Sequence, residues 1–259
     1  MCAVISGAEG WTQIEEFGEA KKEWLKGFLE LKNGIPSHDT IRRVFILLDP
    51  QEFQKGFIKW VQSVTKKNKG EIISIDGKTA RGSQIDGKAV LHKVSAWAHD
   101  QGIVLGEVKT SEKSNEITAI PELLKLLNIK GCTVTIDAMG CQRGIAKEIK
   151  KRGGDYVLSL KGNQGTLHEE IVKYYKYAAK RNFKGIEYSF YETKGKSHGR
   201  KEHRKYWITE DINWITPRAE WEGLRSIGMV ESKREVKGEV AEETRYFGSF
   251  LIKWESPRI

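Results

Sequence analysis

"CTVTIDAMGCQRGIAKEIKKRGGDYVLSLKG" (residues 132–162) decides the fold. CTVTIDA is an apolar run of strand length, RGIAKEIKKRG a helix ended by glycine, and DYVLSLKG a second strand. Two strands joined through a helix make a parallel crossover. Working outward, EIISIDGKTA (71–80) alternates or runs apolar as a strand, and HKVSAWAHD (92–100) with GIVLGEVKT (102–110) reads as a hairpin. NEITAIPELLKLL (115–127) is helical, with Ser114 or Asn115 as its cap. The order over residues 71–162 is therefore β-β-β-α-β-α-β, which predicts a mixed α/β sheet.

Residues 161–182 read as a basic helix, and residues 185–252 alternate in hairpin fashion. Upstream, residues 11–32 repeat apolar positions at helical spacing. NGIPSHDT (33–40) breaks that helix, and two more follow at TIRRVFILL (40–48) and PQEFQKGFIKWVQSV (50–64). Ser37, His38 and Asp39 spell a catalytic triad, but adjacent side chains cannot converge as nucleophile, base and orienter. Ser37 or Asp39 is read as a helix N-cap instead. These patterns divide the chain into a helical module (1–68), an α/β core (69–184) and a β-rich insertion with the chain end (185–259).

The 259 residues are 39% hydrophobic, enough for a packed domain with an appendage. No apolar run approaches the ~20 residues that cross a bilayer, and the first residues do not read as a secretory signal. Cys2, Cys132 and Cys141 are too sparse for a disulfide framework, which points to reduced thiols in a cytoplasm. The net charge of +9 is concentrated: residues 141–205 hold 17 basic and 7 acidic groups, whereas the segments before and after are near balance. Such a concentration favours a polyanionic partner, nucleic acid above all, through counterion release.

Two acids stand out. Asp76 interrupts a strand of isoleucines and Asp137 ends a buried one, at the edge where α/β sheets place ligands. A charged carboxylate in such a place costs several kcal/mol (~3–5) unless it is paired or holds a cation. Paired carboxylates suit Mg²⁺ or Mn²⁺. Each aspartate can also simply begin a tight turn.

GIPSHDTIRRVF (34–45), SIDGKTARGS (74–83), KSNEITAIPELL (113–124), VTIDAMGCQ (134–142), GGDYVLSLKGNQ (153–164) and HGRKEHR (198–204) together resemble the H-repeat-associated insertion-sequence transposases. The resemblance runs from about Ser6 to about Phe250 and places the chain among DDE transposases with a ribonuclease H-like core. It implies metal-dependent cleavage at transposon ends and transfer of the freed strand to target DNA, with two of three catalytic acids at Asp76 and Asp137. The implied cofactor is Mg²⁺ or Mn²⁺ in a two-metal site. The implied partners are double-stranded DNA and a second transposase protomer, in a bacterial cytoplasm where bound protein associates with the nucleoid.

Lys78, Arg81, Lys161, Asn163 and Gln164 sit just beyond strand segments, as phosphate or DNA contacts or as solvated loop residues. On a strand, His198, Arg200, Glu202 and Arg204 share one face, either as a DNA surface or as an exposed charge ladder. Glu202 is the candidate third metal ligand. The family's third acid belongs to a later helix in a Trp-x-Ile-Glu pattern, which residues 1–259 do not contain. The expectation is a copy truncated at both ends with impaired catalysis, or a non-catalytic remnant that binds transposon ends.

Overall fold

The computed structural model describes residues 2–64, 70–79, 92–110, 116–197, 199–236 and 238–249. It divides into two compact units, Met1–Lys59 and Trp60–Ile259.

The first unit is helical: α1 (Cys2–Ile5), α2 (Trp11–Ala20), α3 (Lys22–Lys26), α4 (His38–Leu47) and the start of α5 (Pro50–Val64). The single helix expected over residues 11–32 is broken at Lys21, whose backbone leaves the helical region (φ −112°, ψ 16°). Ile35 packs onto the bare Cα of Gly18, where a Cβ would lie 2.6 Å from its Cγ2. Ser37 is the N-cap of α4 and accepts from the Thr40 N–H, as the sequence suggests. His38 leaves no triad: its Nδ1 lies 2.6 Å from Glu15. Asp49 caps α5 through the N–H groups of Gln51 and Glu52. Trp11 meets Phe45 at a tilt and Phe45 meets Phe53 edge-on, with ring centroids 5.1 and 5.7 Å apart, joining α2, α4 and α5.

The second unit is built on β1 (Ile72–Thr79), β2 (His92–Ala98), β3 (Ile103–Thr110), α6 (Glu116–Leu126), β4 (Thr133–Ile136), α7 (Arg143–Lys151), β5 (Asp155–Leu160) and α8 (Gly165–Lys180). It continues through β6 (Ser189–Ser197), β7 (Arg200–Thr209), β8 (Ser226–Val236) and β9 (Glu239–Ser249). The β-β-β-α-β-α-β order is as expected, and β1, β4 and β5 run parallel. The caps proposed at Ser114 and Asn115 lie outside the described residues.

The insertion is not a separate layer. β9 pairs antiparallel with β5, Val157 opposite Ser249 through Leu160 opposite Tyr246, so one sheet of nine strands runs β3-β2-β1-β4-β5-β9-β8-β7-β6. Side chains alternate across it, and Ile73, Ile75, Val134, Ile136, Tyr156 and Leu158 all point into the core. Leu123 and Leu124 of α6 and Ile145 and Ile149 of α7 bury their side chains in the same cluster. Each such side chain contributes about 1.5–3 kcal/mol of burial. From the other direction, Tyr175 of α8 donates its hydroxyl to the carbonyls of Ile227 and Trp207, tying that helix to β8 and β7. The opposite faces of β1 and β4 carry Ser74, Asp76, Thr135 and, just past the end of β4, Asp137.

No helix among the described residues is long and apolar enough to cross a membrane. Cys132 and Cys141 are buried free thiols and Cys2 an exposed one. Burial, helped by the charge of Asp137, pushes the Cys141 thiol up to about 12, so it stays protonated.

Candidate active site

The register of β1 on β4 sets the geometry. Ser74 pairs with Thr135 and Ile75 with Ile136, so Asp76 and Asp137 occupy the next step of the same parallel pair. One step earlier on that face the hydroxyls of Ser74 and Thr135 meet at 2.8 Å. Asp76 and Asp137 are both exposed there, and Lys78 Nζ lies 3.8 Å from the Asp76 carboxylate. Asp137 also starts the turn: its Oδ1 accepts from the N–H groups of Met139 (3.1 Å) and Gly140 (3.3 Å). The turn-forming and ligand-holding readings are thus compatible, since both bonds fall on a single oxygen.

Gly140 is required by close packing. A Cβ there would lie 2.3 Å from Ile136 Cγ2 and 2.7 Å from Ile120 Cδ1. Asn163 and Gln164 brace the same turn from below, Asn163 donating to the Ala138 carbonyl at 2.8 Å and Gln164 to the Cys141 carbonyl. Each amide donates one N–H to that turn, so both side chains help to hold Asp137 in place. Lys161 precedes the short 3-10 turn Gly162–Gln164 and is exposed, and its charge helps lower the Glu243 carboxyl after the Arg245 bond.

A third acid, not singled out from sequence, stands nearby. Glu116 opens α6, and its carboxylate rests against the bare Cα of Gly77: a Cβ on that residue would fall 1.9 Å from Glu116 Oε1. Its carboxyl is raised above the ordinary carboxylate range, first by burial and then by the negative charges of Asp137 and Asp76, with His92 opposing. In sequence Glu116 looks like an acid in the first turn of a helix, favoured by the helix dipole alone. The signal that was available is its place inside KSNEITAIPELL, a run that carries the family resemblance. As placed, no three His, Cys, Asp or Glu side chains among the described residues stand close enough together to hold a metal ion.

Glu202 is not brought to the aspartates. It sits on β7, four strands from β4, which is about 19 Å at the usual strand spacing. There it is enclosed by Arg204 (2.8 Å), Arg234 (3.7 Å) and Arg200 (3.8 Å). The Arg204 hydrogen bond, more than any other influence, holds its carboxyl below the usual range. The expectation of Glu202 as third ligand fails in this structure because β7 continues the sheet outward instead of folding back over it. Arg200 and Arg204 do share its face, as alternation requires. Arg81 and His198 lie outside the described residues.

The family described as "Transposase DDE domain" matches residues 67–227, and that described as "DDE_Tnp_1-associated" matches residues 1–61. The chain belongs to the DDE transposases. Its ribonuclease H-like mixed sheet is the fold of that family. It is 46% identical over 250 residues to "Putative transposase YncI" of Escherichia coli O157:H7, covering 94% of this chain and 62% of that one. To "H repeat-associated putative transposase YbfD" of Escherichia coli (strain K12) it is 44% identical over 212 residues, covering 81% and 83%. To "Uncharacterized protein in dhlA 3'region" of Xanthobacter autotrophicus it is 42% identical over 252 residues, covering 95% and 83%. The chain thus spans less than two thirds of the YncI relative and most of the other two.

Proposed function

We propose that this DDE transposase cleaves and transfers DNA strands at the ends of an insertion sequence, using Mg²⁺ or Mn²⁺ held by Asp76 and Asp137. The observation that carries the reading is the parallel β1–β4 register, which puts the two aspartates on neighbouring strand segments, on one exposed face, just past the last paired residues Ile75 and Ile136. Hard carboxylate oxygens on a rigid sheet fit such a cation, and the turn bonds leave the second oxygen of Asp137 to serve it. A bound divalent cation supplies Lewis-acid stabilisation of charge on the attacking and leaving oxygens of a phosphodiester.

The chain's own residues do the rest. Lys78 holds positive charge at the Asp76 side chain, where a DNA phosphate approaching the site gains from it. Asn163 and Gln164 keep the Asp137 turn from relaxing. Lys161, Lys194, Lys196, Arg200, Lys201, Arg204 and Lys233 offer exposed or half-exposed cations for the backbone of duplex DNA, both transposon end and target. Pairing of two ends calls for a second protomer.

The test is a nicking assay on DNA carrying an insertion-sequence end, with Mg²⁺ or Mn²⁺ supplied. Product that depends on the cation and vanishes in Asp76→Ala supports the reading. Salt-sensitive binding of duplex DNA with no product, in either cation, refutes it and leaves the non-catalytic DNA-binding protein.

A further inference from the structure

We propose that the arginine-bearing face of β7, β8 and β9 is the track on which duplex DNA lies as it leaves the Asp76–Asp137 site, and that the lysine-bearing face of the same strands is no part of it. The inference rests on the reading that this chain acts on DNA at those aspartates, and it names the surface that holds the flanking duplex.

The outer strands sort their cations by type. Pairing sets Glu202 opposite Gly195 and Arg234, and Arg234 opposite Ala241. Side chains alternate along each strand, so Arg200, Arg204, Arg234 and Arg245 share the Glu202 face, while Lys194, Lys196, Lys201, Lys205 and Lys233 share the other. Three of those lysines pair singly with acids: Lys194 with Glu192 (3.0 Å), Lys201 with Glu235 (2.9 Å) and Lys233 with Glu242 (2.9 Å). The arginines are arranged differently. Arg200, Arg204 and Arg234 gather around the one carboxylate of Glu202. Arg245 takes both oxygens of Glu243, at 2.9 and 2.8 Å. A guanidinium carries five N–H donors in a planar fork, so an acid that fixes its position still leaves donors for a phosphate, which a paired lysine offers less well.

The register also decides which face reaches the aspartates. Ser74, Thr135, Val157 and Ser249 form one row across β1, β4, β5 and β9. Ser249 and Arg245 are an even number of residues apart on β9, so the arginines stand on the face that carries Asp76 and Asp137. Lys161 follows the paired Leu160 and Tyr246, which brings it beside Arg245 in register. The Arg245 hydrogen bond chiefly lowers the Glu243 carboxyl, and the charges of Lys161 and Arg234 lower it further, so these cations act on one spot. The lysine face runs instead into Trp207 and Met229, which are buried, and there α8 is tied down by Tyr175. From β4 to β7 the exposed face extends about 19 Å at the usual strand spacing, the length of about six base pairs of duplex.

Two triple variants of the full chain test this. One combines Arg200→Gln, Arg234→Gln and Arg245→Gln, the other Lys194→Gln, Lys201→Gln and Lys233→Gln. All six positions are exposed, and both variants lose three positive charges, so they differ only in the face that is changed. Fluorescence anisotropy of a labelled DNA duplex, titrated over a range of KCl, reads the affinity and its salt slope. The arginine variant should bind about tenfold more weakly or worse and flatten the slope by about 2–3, since each lost phosphate contact removes about 0.9. The lysine variant should keep its slope within about 0.5 of the wild type. Far-UV circular dichroism checks folding, and Arg245→Gln alone, which leaves the Glu202 cluster whole, should flatten the slope by about 0.9. Equal effects of the two triple variants, or a larger effect of the lysine one, overturn the arginine track and leave the DNA reading standing. If the wild-type chain has no salt-sensitive affinity for duplex DNA, both fall.

Discussion

Two glycines four residues apart should respond to the same substitution with opposite signs. Gly140 is buried in the Asp137 turn, and an added methyl would fall 2.3 Å from Ile136 Cγ2 and 2.7 Å from Ile120 Cδ1. Neither neighbour yields easily. Ile136 Cγ2 is bonded to the Cβ of a β-branched residue in a central strand, and Ile120 is wholly inside the core. The methyl must push β4 and α6 apart, an overpacking that costs about 1–3 kcal/mol. At ~2–4 °C per kcal/mol for a unit of this size, Gly140→Ala should lower the melting temperature by about 2–12 °C. Gly144, in the first turn of α7, has nothing within 4 Å of its would-be Cβ and is exposed. Gly144→Ala relieves a helix of its glycine and should stabilise by about 0.5–1 kcal/mol, raising the melting temperature by about 1–4 °C. Thermal unfolding followed at 222 nm reads both. A Gly140→Ala protein melting at or above the wild-type temperature would refute the reasoning, because it would mean that β4 and α6 are not locked together beneath the acidic site.

Asn163→Ala removes the donor to the Ala138 carbonyl and should cost about 1 kcal/mol, with faster hydrogen exchange at residues 138–141 as the sign that the Asp137 turn has loosened. Tyr175→Phe strips one hydroxyl from two buried carbonyls and should cost about 1 kcal/mol in denaturant unfolding; no change would mean that α8 is held to the sheet by apolar contact alone. In the helical unit, the bond to Glu15 raises the His38 imidazole above the usual histidine range, and bonds to His38 lower the Glu15 carboxyl. A raised histidine stabilises fully below its unfolded pKa and loses that contribution as pH climbs through the folded one. A lowered carboxyl stabilises above its unfolded pKa and loses it as pH falls through the folded one. The pair therefore helps most between about pH 4.3 and 6.5, and an NMR titration should find His38 above about 6.5 in the wild type and lower in Glu15→Gln.

What could be read in the chain, and what could not, divides by the range of the forces. CTVTIDA, RGIAKEIKKRG and DYVLSLKG announce strand, helix and strand because period-2 and period-3.6 patterns are local, and the Ser37 cap is visible for the same reason. Asp76 and Asp137 are conspicuous because each sets an acid into or directly after an apolar strand run, a break in pattern that is visible locally. The break at Lys21 was not visible, because apolar spacing continues through it and only the backbone at Lys21 shows the chain leaving the helix.

Sequence alone thus determined the element order and the mixed α/β class, and it made the two aspartates conspicuous. Tertiary structure decided where the other acids stand. Glu202 has cations at alternate positions and so resembles a site from sequence, yet hydrogen bonding of β9 to β5 carries β7 outward along the sheet and away from Asp137. Glu116 looks like an ordinary first-turn acid, yet the packing of α6 onto Gly77 and Gly140 carries it to the strand ends. Strand pairing and helix docking act between residues far apart in the chain, and no local pattern encodes their outcome.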